Sequence, residues 1–126
     1  MTKSAGCLFL LPVFFGLNSA AQAQAPGALD GAALFKQQCS ICHTVKANEP
    51  PRQGPTLAGV YDRKAGSLPG FHYSAGFAKA DFIWDDAHLD AYLTNPQAAI
   101  PGSVMAYRQP KEPVRQAIIS FLKEQR

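Results

Sequence analysis

The chain has 126 residues, 47% of them hydrophobic, and a formal net charge of +3 from 12 basic and 9 acidic side chains. This length suits one small domain, and so small an excess of positive charge indicates no nucleic-acid partner. Many glycines and prolines fall between residues 50 and 76. Because a loop-rich chain of this size buries little apolar surface of its own, a bound group would have to complete its core.

The first 23 residues have the pattern of an export signal. Lys3 supplies a positive charge, residues 7–17 form an apolar run, and residues 21–23 read Ala-Gln-Ala, a typical cleavage site. The run is shorter than the roughly 20 apolar residues that a membrane span needs. An uncleaved anchor is the alternative. We expect cleavage after Ala23, no transmembrane anchor, a periplasmic location and a mature domain of residues 24–126 with a net charge of +2.

The first two predicted helices begin at aspartates that can cap them. Asp30 can cap a helix that runs through Phe35 into a turn at residues 39–43. Asp85 or Asp86 can cap a second, which ends before Pro96. A short turn is expected over residues 97–100.

The last predicted helix, from about residue 112 to 125, has Pro113 in its first turn. An apolar stripe follows helical spacing along one face: Val114, Ile118, Phe121 and Leu122. The sequence has no strand pattern, internal repeat or second domain. These elements predict an all-α class with three main helices and short turns.

Residues 39–43 read Cys-Ser-Ile-Cys-His, which is the attachment signature of a c-type haem. Two thiols three positions apart on a tight turn can add across the two vinyl groups of one porphyrin, and the adjacent imidazole then points at the iron. We therefore predict one haem c, covalently attached through Cys39 and Cys42, with His43 as an iron ligand.

A zinc half-site, a redox dithiol and a chance match are the alternatives for this motif. Zinc requires about four ligands, and the only other cysteine, Cys7, lies in the predicted signal. A thioredoxin-like dithiol requires a β-α-β frame, which the sequence pattern lacks.

Met105 is the strongest candidate for a second iron ligand. It is the only methionine besides the initiator, and it lies in a turn-rich segment between two predicted helices. A thioether there could reach the far face of a haem. The alternatives are a core methionine that fills a gap, or a bis-histidine site that uses His72 or His88.

From Asp30 to the C-terminus the chain resembles the class I cytochromes c of the mitochondrial and bacterial short-chain type. Besides residues 39–43, the matching blocks and their spacing carry the resemblance: residues 54–57, 59–66, 69–74, 83–84, 89–96 and 100–105. The resemblance implies a small, loop-rich cytochrome c fold wrapped around one covalent haem. It also implies an electron carrier with no substrate chemistry, and so no enzyme activity.

The resemblance assigns individual roles as well. His43 and Met105 would be the axial ligands, and the Pro55 carbonyl would accept a hydrogen bond from the other ring nitrogen of His43. The haem propionates would be bound or neutralised by Arg63, Tyr73, Ser74 and Trp84.

Two further roles concern packing. Tyr92 would lie beside the sulfur of Met105, and Gly31 would let the terminal helices cross closely near Phe121.

We expect a monomeric carrier that passes single electrons between membrane-bound redox complexes. These partners would be a quinol:cytochrome c oxidoreductase and a terminal oxidase or photosynthetic centre. One alternative is the electron-accepting haem subunit of a periplasmic dehydrogenase, which would present a large apolar partner patch. The other is a peroxidase-like or gas-binding haem protein, which would need a weak or absent bond to Met105.

The chain departs from the resemblance at its expected haem edge. Mitochondrial members carry lysines there that steer them to acidic partners, whereas this chain has uncharged residues at the matching positions: Ala33, Gln38, Gln97, Ala98 and Val104. Arg52 remains as a cation. We expect docking through apolar contact around Ile41, Val104 and Ala106.

Overall fold

The computed structural model describes residues 28–125, and the predicted signal peptide lies outside this range. It contains four α-helices and, between the first two, a 3₁₀ helix at Ala75–Lys79. The α-helices are α1 (Gly31–Gln38), α2 (Asp86–Thr94), α3 (Pro96–Ala99) and α4 (Glu112–Lys123). Within the described range, the one strand-like pairing is an isolated bridge between Lys64 and Ile83. The predicted all-α, loop-rich class is confirmed.

Helix α1 begins where the sequence predicts. The Asp30 carboxylate accepts a hydrogen bond from the backbone N–H of Ala33 at 3.1 Å, which satisfies one free donor of the first turn. At the other end, the backbone N–H of Cys39 donates to the Phe35 carbonyl at 2.9 Å, and that of His43 donates to the Cys39 carbonyl at 3.0 Å. The Cys-x-x-Cys-His turn is therefore a direct continuation of α1.

Helices α1 and α4 cross at Gly31. A Cβ atom at this position would lie 2.8 Å from the Cβ of Phe121 and closer still to the Ala117 carbonyl oxygen, so only glycine allows this approach. One turn further along, the rings of Phe35 and Phe121 are 5.3 Å apart between centroids. The close crossing predicted for Gly31 is confirmed.

Helix α2 is capped by Asp85, whose carboxylate accepts from the backbone N–H of His88 at 2.8 Å. It ends at Asn95, which in turn caps the short α3 with Pro96 in its first turn. The expected turn over residues 97–100 is thus mostly helical. The 3₁₀ helix was not indicated by the sequence pattern, and α4 ends two residues earlier than predicted.

The buried arginine of α4 ties that helix to α2. The Arg115 guanidinium donates to both carboxylate oxygens of Asp90, at 2.8 and 3.2 Å, and to the carbonyls of Gln109 and Pro110, each at 3.0 Å. A planar donor fork of this kind suits a bidentate carboxylate.

The buried apolar residues come from the helices and from the loops between α1 and α2. They are Phe35, Val60, Ala65, Trp84, Leu89, Leu93, Ile100, Ile118, Ile119 and Leu122. Of the predicted stripe on α4, Ile118 and Leu122 are buried, while Val114 and Phe121 are partly buried against the core. Across residues 28–125, no helix has both the length and the apolar character to cross a membrane.

Candidate functional site

One cavity of about 410 Å³ lies at the centre of the described structure. Its wall runs from Phe35 on α1 to Leu122 on α4, so both terminal helices and the intervening loops contribute to it. Every residue to which the resemblance assigns a cofactor or ligand role lines this one cavity: Cys39, Cys42, His43, Pro55, Arg63, Tyr73, Ser74, Trp84, Tyr92 and Met105.

The two cysteines form no disulfide and are partly buried in the turn after α1. Burial, and to a smaller extent the neighbouring Cys42 sulfur, raises the pKa of Cys39 to about 11. Without a bound metal, Cys39 is therefore a neutral thiol at neutral pH. No cluster of three or more His, Cys, Asp or Glu side chains that could hold a metal ion occurs among the described residues. The missing ligands argue against a zinc half-site.

The His43 ring is oriented by a backbone carbonyl. Its Nδ1 atom lies 2.8 Å from the Pro55 oxygen. Burial lowers the pKa of His43, and the hydrogen bond to Pro55 offsets this shift in part. A carbonyl can only accept, so Nδ1 of the neutral ring carries the proton and Nε2 keeps a free lone pair. The imidazole is thus in the tautomer that can bind a metal through Nε2.

The loop that carries Pro55 is held against the turn by hydrogen bonds. The Gly54 backbone N–H donates to the Cys42 carbonyl at 2.8 Å, and that of Leu57 donates to the Thr44 carbonyl at 2.7 Å. The buried Thr44 hydroxyl donates to Glu49 at 2.7 Å. These bonds fix the Pro55 carbonyl relative to His43.

Met105 lies on the irregular segment between α3 and α4 and reaches the same cavity. Its backbone N–H contacts the Ser103 hydroxyl at 3.4 Å, and that hydroxyl is 2.6 Å from the Tyr92 hydroxyl. Burial raises the pKa of Tyr92, so its hydroxyl remains protonated at neutral pH. Tyr92 thus contacts the Met105 segment through Ser103, while its packing against the sulfur itself stays a prediction.

Four polar side chains lie together at one corner of the cavity, and several of their hydrogen-bond donors have no partner in the described part of the protein. The Ser74 hydroxyl is fully buried without a hydrogen-bond partner. Among the described residues, the Tyr73 hydroxyl and the Trp84 indole N–H likewise have no partner. The half-buried Arg63 donates to the Ala58 and Thr56 carbonyls. We call Arg63, Tyr73, Ser74 and Trp84 the donor corner.

Arg63 supplies a positive charge to the donor corner. Burial lowers its pKa, and within residues 28–125 no carboxylate lies within ion-pair distance of its guanidinium group. A partly buried cation beside three unpartnered donors fits an anionic ligand group, because buried polar groups require partners.

The two rival histidines differ in position. His72 is exposed at its surface but also lines the cavity. His88 lies outside it, with its ring stacked on Phe82 at 4.2 Å and its Nδ1 atom 2.8 Å from the Asp85 carboxylate. His88 is therefore occupied by surface contacts and is excluded as a cavity ligand.

Three cavity-lining or adjacent residues have contacts that the sequence does not predict. The Tyr107 hydroxyl donates to the Gln38 side chain, and the Gln97 amide donates to the Met105 carbonyl oxygen. In the sequence, Gln38 and Gln97 are notable only because the resemblance leads one to expect lysine at these positions. The one feature that could have indicated a role for Tyr107 is its position two residues after Met105 on an extended segment.

The sequence profile of the cytochrome c family matches residues 28–126. The chain belongs to the cytochrome c family. It is 42% identical to cytochrome c of Arabidopsis thaliana over 99 residues, which cover 78% of this chain and 88% of that protein. It is also 42% identical to cytochrome c2 of Rhodomicrobium vannielii over 108 residues, covering 85% and 86%. Cytochrome c of Theileria annulata is 42% identical over 95 residues, covering 75% and 82%.

Cytochromes c are electron carriers, not enzymes, and they hold covalently bound haem c with its iron. The chain is accordingly a haem electron carrier. The cavity suits this cofactor in three respects: two thiols lie beside a neutral imidazole, a thioether reaches the same space, and the donor corner can receive carboxylates. Haem c carries two propionate carboxylates. A carboxylate could accept the hydrogen bond for which Ser74 has no acceptor, and it could serve as the counter-ion that Arg63 lacks.

Proposed function

We propose that this cytochrome c is a periplasmic carrier that moves single electrons between membrane-bound redox complexes, with haem c attached through Cys39 and Cys42 and ligated by His43 and Met105. The observation that carries the proposal is that these four side chains line one cavity. The donor and acceptor would be a quinol:cytochrome c oxidoreductase and a terminal oxidase or photosynthetic centre. A cytochrome c2 from a bacterium among the relatives supports an exported bacterial protein.

His43 is prepared for ligation by its surroundings. Burial keeps the ring neutral and the Pro55 carbonyl holds the proton at Nδ1, so the Nε2 lone pair is available to a metal. Because the loop behind Pro55 is itself hydrogen-bonded, the ring needs little reorganisation.

Met105 would supply the second ligand and close the site. Haem c, when bound, takes up and releases one electron at its iron. The Met105 thioether and its low-dielectric surroundings would favour the ferrous form, and with His43 as the other ligand Met105 would leave no place for an external ligand. Aromatic contacts on the cavity wall, such as Trp84 to Tyr92 at 5.2 Å between centroids, make these surroundings largely apolar.

The donor corner would hold the carboxylate end of the cofactor. Ser74 and Trp84 can each donate one hydrogen bond, and Arg63 supplies positive charge where burial makes an isolated carboxylate costly. These residues would therefore fix the cofactor's orientation as well as its charge balance.

Replacement of Met105 tests the ligand assignment. In the oxidised protein we expect an iron-to-sulfur charge-transfer band, which Met105→Ala should remove while lowering the reduction potential and allowing the reduced protein to bind carbon monoxide. His72→Ala is the control, because His72 lines the same cavity and should leave the band unchanged. If the band is missing from the unmodified protein, or if only His72→Ala alters the spectrum, the assignment is wrong.

We also propose that residues 1–23 are removed after Ala23, leaving a mature domain of residues 24–126. The mass and N-terminal sequence of the exported protein test this. A mature protein that still begins at Met1 would contradict it.

A dehydrogenase subunit is the second candidate for the biological context. Ile41, between the two cysteines, and Val104, on the cavity wall, are 84% and 82% exposed, and such apolar contacts could serve a permanent partner. Size-exclusion chromatography of native extracts separates the two, since a free carrier elutes as a monomer and a subunit co-elutes with its enzyme.

A further inference from the structure

The segment that carries Met105 has no regular backbone pairing of its own. In the described structure, none of the backbone N–H groups of residues 104–108 donates to another backbone group. Exposure alternates along it: Val104, Ala106 and Arg108 are exposed, while Met105 and Tyr107 are partly buried. The segment is therefore an extended piece of chain whose position depends on side-chain contacts.

Three glutamines and a tyrosine supply those contacts. The Gln38 Oε1 atom accepts from the Tyr107 hydroxyl at 2.5 Å and from Gln109 Nε2 at 2.9 Å. The Gln97 amide donates to the carbonyl oxygen of Met105 itself. We call Gln38, Gln97, Tyr107 and Gln109 the amide clasp.

Both attachment points of the clasp belong to the rigid part of the fold. Gln38 is the last residue of α1, immediately before Cys39. Gln109 is fixed through its backbone, because its N–H donates to the Leu93 carbonyl of α2 at 2.8 Å and its carbonyl accepts from Arg115 of α4 at 3.0 Å. Gln97 itself lies on α3, so the clasp joins the Met105 segment to four helices.

We propose that the amide clasp positions Met105 and controls how readily its sulfur leaves the iron. The inference rests on the proposed function, in which Met105 is the second axial ligand. Withdrawal of Met105 moves residues 104–108, which breaks the Gln38–Tyr107 and Gln97–Met105 hydrogen bonds. Each bond lowers the population of the open form, and an external ligand can bind only to that form.

Carbon monoxide binding to the reduced holoprotein at neutral pH measures this open population. Tyr107→Phe and Gln38→Met each remove the hydrogen bond between these two side chains, and Gln97→Met removes the hydrogen bond to the Met105 carbonyl. Gln38→Glu keeps an acceptor of the same length. Tyr61→Phe is the matched control, since it deletes a tyrosine hydroxyl that bonds to Asp86 at 2.8 Å outside the cavity.

We expect Tyr107→Phe, Gln38→Met and Gln97→Met each to bind carbon monoxide roughly 2- to 10-fold faster, the effect of losing one hydrogen bond. Gln38→Glu and Tyr61→Phe should stay close to the unmodified rate. In the double variant of Gln38→Met and Tyr107→Phe, the rate of carbon monoxide binding should rise by less than the two single effects combined, because both residues form the same hydrogen bond.

Two results would overturn the clasp. One is unchanged rates in all three clasp variants, and the other is an equal acceleration in Tyr61→Phe, which would point to general destabilisation. Met105→Ala separates this failure from failure of the proposed function. If that variant binds carbon monoxide freely while the clasp variants behave like the unmodified protein, Met105 is the ligand and the clasp is wrong.

Discussion

The imidazole ring of His43 occupies the space that a Cβ atom on Gly54 would take. Such an atom would lie 2.6 Å from Nδ1 of the ring and 2.8 Å from Nε2. Glycine is therefore required one residue before Pro55, so that the chain can pass behind the ring while the next carbonyl accepts its proton.

Gly54→Ala should displace the His43 ring and break its hydrogen bond to Pro55. Overpacking of this kind costs about 1–3 kcal/mol of unfolding free energy, and the yield of holoprotein should fall with it. Gly70→Ala is the comparison for backbone strain alone: its φ of 75° disfavours alanine, but no atom lies within 4 Å of the added methyl group, so it should lose stability without losing haem. Urea unfolding and the haem content of both variants check the prediction, and an unchanged haem content in Gly54→Ala would contradict it.

Covalent attachment should depend on both cysteines. We expect one haem per chain that survives denaturing electrophoresis with haem staining, and Cys39→Ser or Cys42→Ser should weaken or abolish that stain, because each sulfur forms one thioether bond. Complete extraction of the haem from the unmodified protein by acid-acetone would contradict covalent attachment.

The charge of Arg63 should raise the reduction potential. Arg63→Gln removes a partly buried cation from the donor corner, which favours the ferric state and should lower the potential by an amount on the order of tens of millivolts. Arg63→Lys keeps the charge and should retain most of the potential. Lys64→Gln removes an exposed cation that pairs with Asp81, and it should have little effect. If Lys64→Gln lowered the reduction potential as much as Arg63→Gln, the effect would not depend on the position of the charge in the donor corner.

Loss of the Arg115 fork should destabilise the packing of α2 on α4. Arg115→Ala leaves two carbonyls without this donor and Asp90 with only the Gln116 amide of its side-chain donors, which should lower the unfolding free energy by about 2–4 kcal/mol. Arg115→Lys keeps the charge but cannot make the paired contact, so it should recover only part of the loss. Full recovery in Arg115→Lys would show that charge alone matters.

Electron transfer to the native partner should depend weakly on salt. Arg52 pairs with Glu49, which offsets its charge. Arg108 donates to the neutral Gln97 amide and keeps its charge, as do Lys36 and Lys111, which make no ion pair with a described residue. These scattered cations are fewer than the lysine ring that the resemblance leads one to expect. Ile41 and Val104 are the large apolar residues exposed beside the cavity.

Stopped-flow oxidation by partner membranes, over the range in which the Debye length falls from roughly 30 to 8 Å, measures this dependence. A lysine-rich cytochrome with its own oxidase is the comparison. A fall as steep as in that comparison would contradict apolar docking and return the binding role to Arg52 and its neighbours.

Local rules were sufficient to predict where α1 and α2 begin and to recognise the attachment motif. Asp30 and Asp85 cap their helices through contacts three residues away, and the spacing of Cys39 and Cys42 is itself the chemical signal. The donor corner could be predicted only from the family resemblance. No local pattern at Arg63 or Trp84 distinguishes a cavity residue from a core or surface residue.

The amide clasp could not be predicted from either source. Gln38 and Tyr107 are 69 positions apart, and their hydrogen bond exists only because α1 and the Met105 segment meet at the cavity mouth. The family resemblance shows only that Gln38 and Gln97 stand where lysines are expected. It does not indicate that both side chains form hydrogen bonds to the Met105 segment.

Helix α4 packs against Gly31 of α1 with one part of its surface, and its Ile118 and Leu122 side chains also form cavity wall. Separation of the terminal helices would therefore also admit solvent to the cavity. In hydrogen exchange, the amides of α1 and α4 should open as one cooperative unit, although some 80 positions separate them in sequence. The two ends of the chain thus hold one wall of the cavity together, and this wall opens only when both helices move.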